Sequence, residues 1–488
     1  MSNKSGRDLF ELDLCGALRL VRSGAVSLQE LFQHHLDKIS ALNGRANALR
    51  FVDAARAAKA IEQRQKELAA GANPGRLHGM LYSAKDSVHV AGMPRSDGSA
   101  NGGSVISTSD SALAAKLSAE GAICIGKGNM AEYGKSYFTE NPLFGRTNNP
   151  FLSDRSPGGS GGGDACAVAL DFAQFGLGAD AGGSIRIPAN FCGLFGLYPT
   201  RGLLSDAGGS SFAHTTVHLF RNAGPLTKSL DDLDLVFKVL RGFDNRDQHS
   251  TETPLSFRTS SRPQNASFAY FTALNGVNCD EEVKAEMEKT VQALEQAGYR
   301  PVEYAPPACE LAYEIFIVLA GQAALMLEDQ LALEAGTPRN LSLEGPAVKT
   351  LRQRIATELP ELTVPNLLKA WYRVDALRSM ITRDFDKYSF LVAPVCAGLP
   401  PLHGTSIYEV GGQKLQSQQH FQFASMVNLL GLPSIAFPTG VSRNGLALGL
   451  QVIGPRFSES MLIAVLRSIG ITNRPSELVQ RLKNTPLA

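Results

Sequence analysis

Between Ser27 and Ile39 the apolar residues return every third or fourth position: Leu28, Leu31, Phe32, Leu36 and Ile39. That period predicts an amphipathic helix, and Ser27 with Glu30 has the spacing of a capping box at its start. Residues 53–69, rich in alanine and charge, continue the helical texture. From residue 79 the pattern changes. Glycines become frequent, and short apolar runs ("GMLYSA", "GAICIG", "DFAQFGLGAD") are separated by helical patches such as "SALAAKLSAEG". Strands alternating with helices predict an α/β fold with helices packed on a sheet. Residues 245–267, "NRDQHSTETPLSFRTSSRPQNAS", are polar and aperiodic, so they predict a loop: a domain boundary or a surface excursion. Beyond it, Asp280 is placed to cap a helix whose Val283, Met287, Val291 and Leu294 share one face and which Gly298 ends. Residues 310–385 read as mostly helical, and "YSFLVAPVCA" and "LPSIAFPTG" as buried strands.

Composition narrows this picture. The chain has 488 residues, 44% hydrophobic and 19% charged, which is enough apolar material for a large core and too much for disorder. Its formal net charge is +1, so nothing argues for a nucleic-acid or membrane footprint. Cys15, Cys124, Cys166, Cys192, Cys279, Cys309 and Cys396 are odd in number and hold no C-x-x-C pair, which reads as reduced core thiols of an intracellular protein. The start, MSNKSGRDLFELDL, lacks a signal-peptide core, and no apolar run approaches a membrane span. A cytoplasmic protein without a membrane partner is the expectation.

The chemistry concentrates around "GLGADAGGSIRIPANFCG", residues 176–193. Two glycines directly precede Ser184. Glycine frees the backbone and lets a ligand approach it closely. Successive N–H groups of Ala181, Gly182, Gly183 and Ser184 could then converge on one point, as an oxyanion hole requires. A turn with Ser184 as a plain helix cap fits the same letters. Gly176-x-Gly178-x-x-Ala181 also fits a loose dinucleotide fingerprint, but mid-chain and alone. "SPGGSGGGDA", residues 156–165, lacks the Lys-Ser/Thr ending of a phosphate loop and runs into compact "ACAVAL".

A serine nucleophile needs a base. None of His34, His35, His78, His89, His214, His218, His249, His403 or His420 lies in a triad context, and there is no G-x-S-x-G elbow. Lysine is the other known base. Lys85 in "LYSAKDSVHVAG" closes a short apolar run, where lysine is unusual; an ion pair with Asp86 or a snorkelling side chain is the plainer account.

Three of these segments together, "LYSAKDSVHVAG", "SPGGSGGGDACAVA" and "GADAGGSIRIPANFCGLFGLYPTRG", resemble the signature blocks of the amidase signature family. "GKGNMAEY", "TENPLFGRTNNP", "NLLGLPSIAFPTG" and "GLQVIGP" resemble segments between and after them, so the likeness runs from about residue 10 to about 470. The spacing agrees: 75 residues from Lys85 to Ser160 and 24 from Ser160 to Ser184. The resemblance implies a large mixed sheet sandwiched between helical layers (α/β/α). Residues 1–70 would be a helical region packing on the core or a dimer partner, and 71–488 the catalytic domain, in one domain overall. It implies Ser184 as nucleophile, Ser160 as a bridging serine held by a cis peptide bond and Lys85 as base. The backbone N–H groups of Ala181, Gly182, Gly183 and Ser184 would form the oxyanion hole, with no cofactor and no metal.

The implied reaction is hydrolysis of a small-molecule carboxylic amide through an acyl-enzyme. Two other functions share the blocks: the ammonia-releasing subunit of a glutamine-dependent tRNA amidotransferase, and a non-catalytic binding protein on the same fold. The sequence departs from the family at Gly161, where a second serine is usual, and at Tyr198, where lysine is common. Asp180 and Arg186 match family positions and are expected to hold the loop. Phe316, Trp371 and Phe421 are candidates for an apolar pocket or for ordinary core packing. A homodimer through the N-terminal helices is open.

Overall fold

The computed structural model describes residues 9–71, 74–209, 216–251 and 266–483. Its frame is a mixed sheet of eleven strands: β1 (Leu49–Val52), β2 (Leu81–Lys85), β3 (Ile123–Gly128), β4 (Phe175–Asp180), β5 (Phe195–Tyr198), β6 (Asn222–Thr227), β7 (Ser267–Tyr270), β8 (Arg300–Glu303), β9 (Phe390–Pro394), β10 (Ser434–Val441) and β11 (Ala447–Ile453). In space the order is β1-β3-β2-β4-β6-β5-β10-β11-β9-β7-β8. β3, β2 and β4 are parallel, as are β9, β7 and β8, while the pairings from β4 through to β9 are antiparallel. Every residue of β2 through β6 and of β9 and β11 is buried. Strands buried on both faces need a layer on each side. Helices supply it, so the chain forms the expected α/β architecture.

Local signals account for much of this. The Ser27 hydroxyl accepts from the Glu30 N–H, and the Glu30 carboxylate accepts from the Ser27 N–H at 2.8 Å, closing the capping box of the helix Leu28–Ala46. Asp280 caps the helix Glu281–Gln296, and Gly298 follows it at φ +89°. All seven cysteines are free, and six are buried. Most of the polar stretch 245–267 (residues 252–265), like His214, lies outside the described residues.

Two elements differ from the sequence expectation. The N-terminal region, read as helical, also supplies β1, which pairs antiparallel with β3 at the edge of the sheet. The same region is tied to the core: the Asp232 carboxylate accepts from the N–H groups of Leu14 and Cys15, at 3.0 and 2.9 Å, at the start of the helix Leu14–Arg22. The second difference is Pro307–Glu334, one continuous helical run of 28 residues that is long and apolar enough to cross a membrane by length and composition. Glu310, Glu314 and Glu328 punctuate it, so the apolar stretch between them looked short. Its middle, Ile317–Ala323, is a π-helical turn, and part of it lines the cavity described next.

Candidate active site

The carboxyl ends of parallel strands are where an α/β sheet opens a crevice. Lys85 is the last residue of β2, and Asp180 the last of its neighbour β4. The turn Ala181–Ser184 continues from β4, and Ser160 sits two residues before the helix Gly162–Ala169. These three loops bring distant residues together. The Lys85 Nζ donates to Ser160 Oγ at 2.7 Å and to the Ala179 carbonyl at 3.0 Å. The Gly159–Ser160 peptide is cis. Lys85, Ser160 and Ser184 line one cavity of about 160 Å³ and are 3, 1 and 8% exposed.

The glycines around Ser160 leave room for neighbouring backbone. A Cβ on Gly159 would stand 2.6 Å from the Phe138 nitrogen, so that turn packs directly on the chain at 137–138. Gly161 is different. Its φ is −102°, and a Cβ would stand 3.1 Å from the Ser184 carbonyl oxygen and 3.6 Å from Lys85 Cδ. A side chain at 161 would flank the lysine stem.

The turn before Ser184 is held from behind by Asp180. Its carboxylate accepts from the N–H groups of Gly183 at 2.6 Å and Ile185 at 3.2 Å, from Arg186 Nε at 3.0 Å and from Asn428 Nδ2 at 2.8 Å. This corrects one expectation. The Gly183 N–H is taken up by Asp180, because the turn needs that bond to close. The N–H groups of Ala181, Gly182 and Ser184 have no hydrogen-bond partner among the described residues, so they are the donors left free. Gly183 has φ +115°, and a Cβ there would stand 2.5 Å from Ile187 Cδ1 and 2.7 Å from Ala424 Cβ. Gly183→Ala is therefore expected to cost about 1–3 kcal/mol of stability and to distort the donors on either side. Chemical unfolding checks the first effect and the rate of covalent serine labelling the second.

Burial holds the Lys85 amine down at about 8, with the Arg221 guanidinium adding to the effect and Asp164, Asp180 and Asp97 opposing it. Burial alone would push the Asp180 carboxyl up, but Arg186 and the donors around it outweigh that and hold it below the usual range. None of the described histidines lines the cavity. His34 bonds Asp171 at 2.5 Å, His78 contacts the Arg64 carbonyl at 3.0 Å, and His420 stacks on Tyr408. The group His34, His35 and Asp171 is compact enough to hold a metal ion, but the Asp171 carboxylate is already paired with Lys228 and His34.

Of the three aromatic candidates, only Phe316 lines the cavity, with its ring 2.7 Å from where a Gly182 Cβ would stand. Trp371 stacks on Phe220 and Phe421 on Tyr137, both as packing. Tyr137 itself, which the sequence did not single out, lines the cavity with Met130, Ile317 and Ala320.

Comparison with known proteins gives the family. Residues 30–463 match the Amidase family model. A glutamyl-tRNA(Gln) amidotransferase subunit from Acinetobacter baumannii (strain AB0057) is 30% identical over 484 residues, spanning 94% of this chain and 95% of that protein. Indoleacetamide hydrolase of Bradyrhizobium diazoefficiens is 29% identical over 473 residues, spanning 95% and 87%. A crystal structure of an amidase superposes with a TM-score of 0.80 at 26% identity, covering 94% of this chain and 99% of that one. A bacterial aryl acylamidase shares the fold with a TM-score of 0.84 at 22% identity, covering 97% and 99%. The chain belongs to the amidase signature family. Its relatives divide between amidotransferase subunits and amidases.

Proposed function

We propose that the chain is an amidase, hydrolysing a carboxylic acid amide to the acid and ammonia or an amine through an acyl-enzyme on Ser184. The observation that carries this reading is the 2.7 Å bond from Lys85 to Ser160 inside the cavity onto which Ser184 opens. The Ser184 oxygen attacks the amide carbon. Its proton passes to Ser160, whose own proton passes to the neutral Lys85 amine. The carbonyl oxygen becomes an oxyanion facing the N–H groups of Ala181, Gly182 and Ser184, each such donor typically supplying about 2.7–4 kcal/mol. Collapse breaks the C–N bond, and the leaving nitrogen takes the proton back through the relay. Water then attacks the Ser184 ester, gives its proton to the same relay, and the acid leaves with Ser184 reprotonated. Asp180 and Arg186 shape the turn and take no part in the chemistry.

The wall of Met130, Tyr137, Phe316, Ile317 and Ala320 favours an apolar acyl or aryl group. A second cavity of about 710 Å³ shares Ile317, Leu351 and Gln418 with the first and gives a longer substrate room. A fluorophosphonate probe is expected to label wild-type protein on Ser184, with labelling lost in Ser184→Ala; a panel of aliphatic and aryl amides then identifies the substrate class. Labelling elsewhere, or undiminished labelling of the variant, removes the reading. The probe rate should also rise as pH climbs through about 8, because the protonated Lys85 amine is no base. A flat rate between pH 5 and 9 speaks against the relay.

The likeness to tRNA amidotransferase subunits favours a second reading, in which the same site releases ammonia from glutamine for a partner protein. Glutaminase activity that appears only with a co-purified partner, together with no turnover of simple amides by the isolated chain, would replace the first reading by this one.

A further inference from the structure

The helix Gly162–Ala169 packs across β2, β3 and β4, and Asp164 stands in its first turn, fully buried. Its carboxyl lies over the carboxyl ends of the parallel strands. A Cβ on Gly128 would stand 2.4 Å from one carboxyl oxygen and 2.5 Å from the other. Gly128 is the register partner of Lys85 in the β2–β3 ladder, and laterally paired residues project to the same face. The carboxyl thus fills the space that a side chain at 128, beside Lys85, would occupy. Neither of its oxygens has a hydrogen-bond partner among the described residues. The Ser83 hydroxyl, two residues before Lys85 and hence on the same face, lies close but outside hydrogen-bond geometry. Buried carboxyls are nearly always hydrogen-bonded. This one has the Ser83 hydroxyl and three charged groups nearby, and nothing in the proposed chemistry uses it.

We propose that Asp164 is the internal counter-charge of Lys85, a positioning residue whose ionisation decides at which pH the amine becomes a free base. The proposal rests on the reading of Lys85 as the base. Lys85 is faced by Arg221 just before β6, Asp164 from its helix, Asp180 from β4 and Asp97 from the loop after β2. Asp164 is faced by Lys85, by Lys127 of β3 and by Asp86. Burial pushes the Asp164 carboxyl up to about 7, against the nearby Ser83 hydroxyl and the pull of the two lysines, and brings Lys85 down to about 8. Groups so close in position and titration range lose their protons as a pair. The first proton leaves mainly from the carboxyl, giving a carboxylate beside an ammonium, in which Lys85 is no base. The second loss frees the amine. As the carboxylate takes a proton below about pH 7 its hold on the ammonium is lost, so activity falls less steeply than for a single independent amine.

The test is the rate of Ser184 labelling by a fluorophosphonate between pH 5 and 9. In that reaction the Ser184 oxygen bonds phosphorus, fluoride leaves, and the serine proton goes through Ser160 to Lys85. The wild-type acid limb is expected to be shallower than a slope of one where Asp164 takes up its proton, because losing the carboxylate weakens the hold on the ammonium. In Asp164→Asn the limb should keep a slope of one and move down by about one pH unit, since an opposite charge no longer favours the ammonium. Asp164→Ser should behave alike. Unshifted profiles in both variants overturn the inference and leave the amidase reading intact. A wild-type slope of one down to pH 5 overturns it even where neither variant folds. Wild-type-rate labelling of Lys85→Met would instead remove the amidase reading beneath it.

Discussion

Lys85→Met will react with a fluorophosphonate about a thousandfold more slowly than the wild type, at the level expected for losing a positioned general base, and will unfold at an unchanged or higher temperature. The first half follows from the 2.7 Å contact with Ser160: methionine keeps the stem, but its thioether sulfur is far too weak a base to take the relayed proton. The second half is a balance. The variant loses two hydrogen bonds, to Ser160 and to the Ala179 carbonyl, worth about 1 kcal/mol each. Against this, the amine is held down at about 8 from 10.5 by burial, so below pH 8 its charged form carries a penalty of about 3 kcal/mol. Methionine carries none, so the two effects offset or favour the variant. A buried lysine kept against that penalty is doing something other than stabilising the fold. Retention of more than a tenth of the wild-type labelling rate would remove Lys85 from the relay, and a large drop in unfolding temperature would mean that its loss is structural.

How far the fold could be read depends on whether its causes are local. Ser27 and Glu30 close their capping box within one helical turn, so four letters suffice. The buried strands β9 and β10 are legible because a strand covered on both faces must be apolar at nearly every position. β1 is not legible for the converse reason. Leu49–Val52 is four residues long and mostly half-buried, and it becomes a strand only because β3 lies alongside it. The site divides the same way. Glycines before Ser184 announce a backbone that must turn, but which N–H groups the turn leaves free depends on Asp180, and the orientation of Asp180 depends on Arg186 and on Asn428 from far along the chain. Phe316, Trp371 and Phe421 look equivalent as letters. Only tertiary packing sends one to the cavity and the others to the core. Asp164 was hidden most completely, since a carboxyl after a run of glycines reads as a helix start, and nothing in sequence says that Gly128 vacates a place for it beside Lys85.

Lys85 and the turn before Ser184 place opposite demands on buried charge. Lys85 is buried without an ion pair among the described residues, and burial keeps its amine within reach of neutrality. Asp180 is surrounded by donors, and this keeps its carboxylate ionised. The two sit at the ends of adjacent strands, so the site depends on the pairing around Asp180 remaining complete.

Breaking that pairing should give the largest stability loss in the molecule. Arg186 is fully buried, and its guanidinium reaches Asp180, Gln451 Oε1 at 2.9 Å and Asn428 Oδ1 at 2.5 Å. Arg186→Met fills much of the volume but leaves Asp180 as a buried charge without its cation, which typically costs about 3–5 kcal/mol. The double variant Arg186→Met/Asp180→Asn removes the charge as well and should recover part of that loss, while still labelling poorly because the Gly183 N–H has lost its carboxylate. The pH dependence separates this from a simple packing defect. In the wild type the Asp180 carboxyl is held low, so its stabilising effect is present above the unfolded value of about 3.9 and is lost as pH falls toward its folded value. In Arg186→Met burial is no longer opposed by the cation, and the folded value rises above the unfolded one. The stability deficit is then greatest at neutral pH and shrinks as acid protonates the carboxyl. Urea unfolding of both proteins at pH 5 and pH 8 reads the difference. A deficit equal at the two pH values would assign the loss to packing alone and would take from Asp180 and Arg186 the role of fixing the turn through charge.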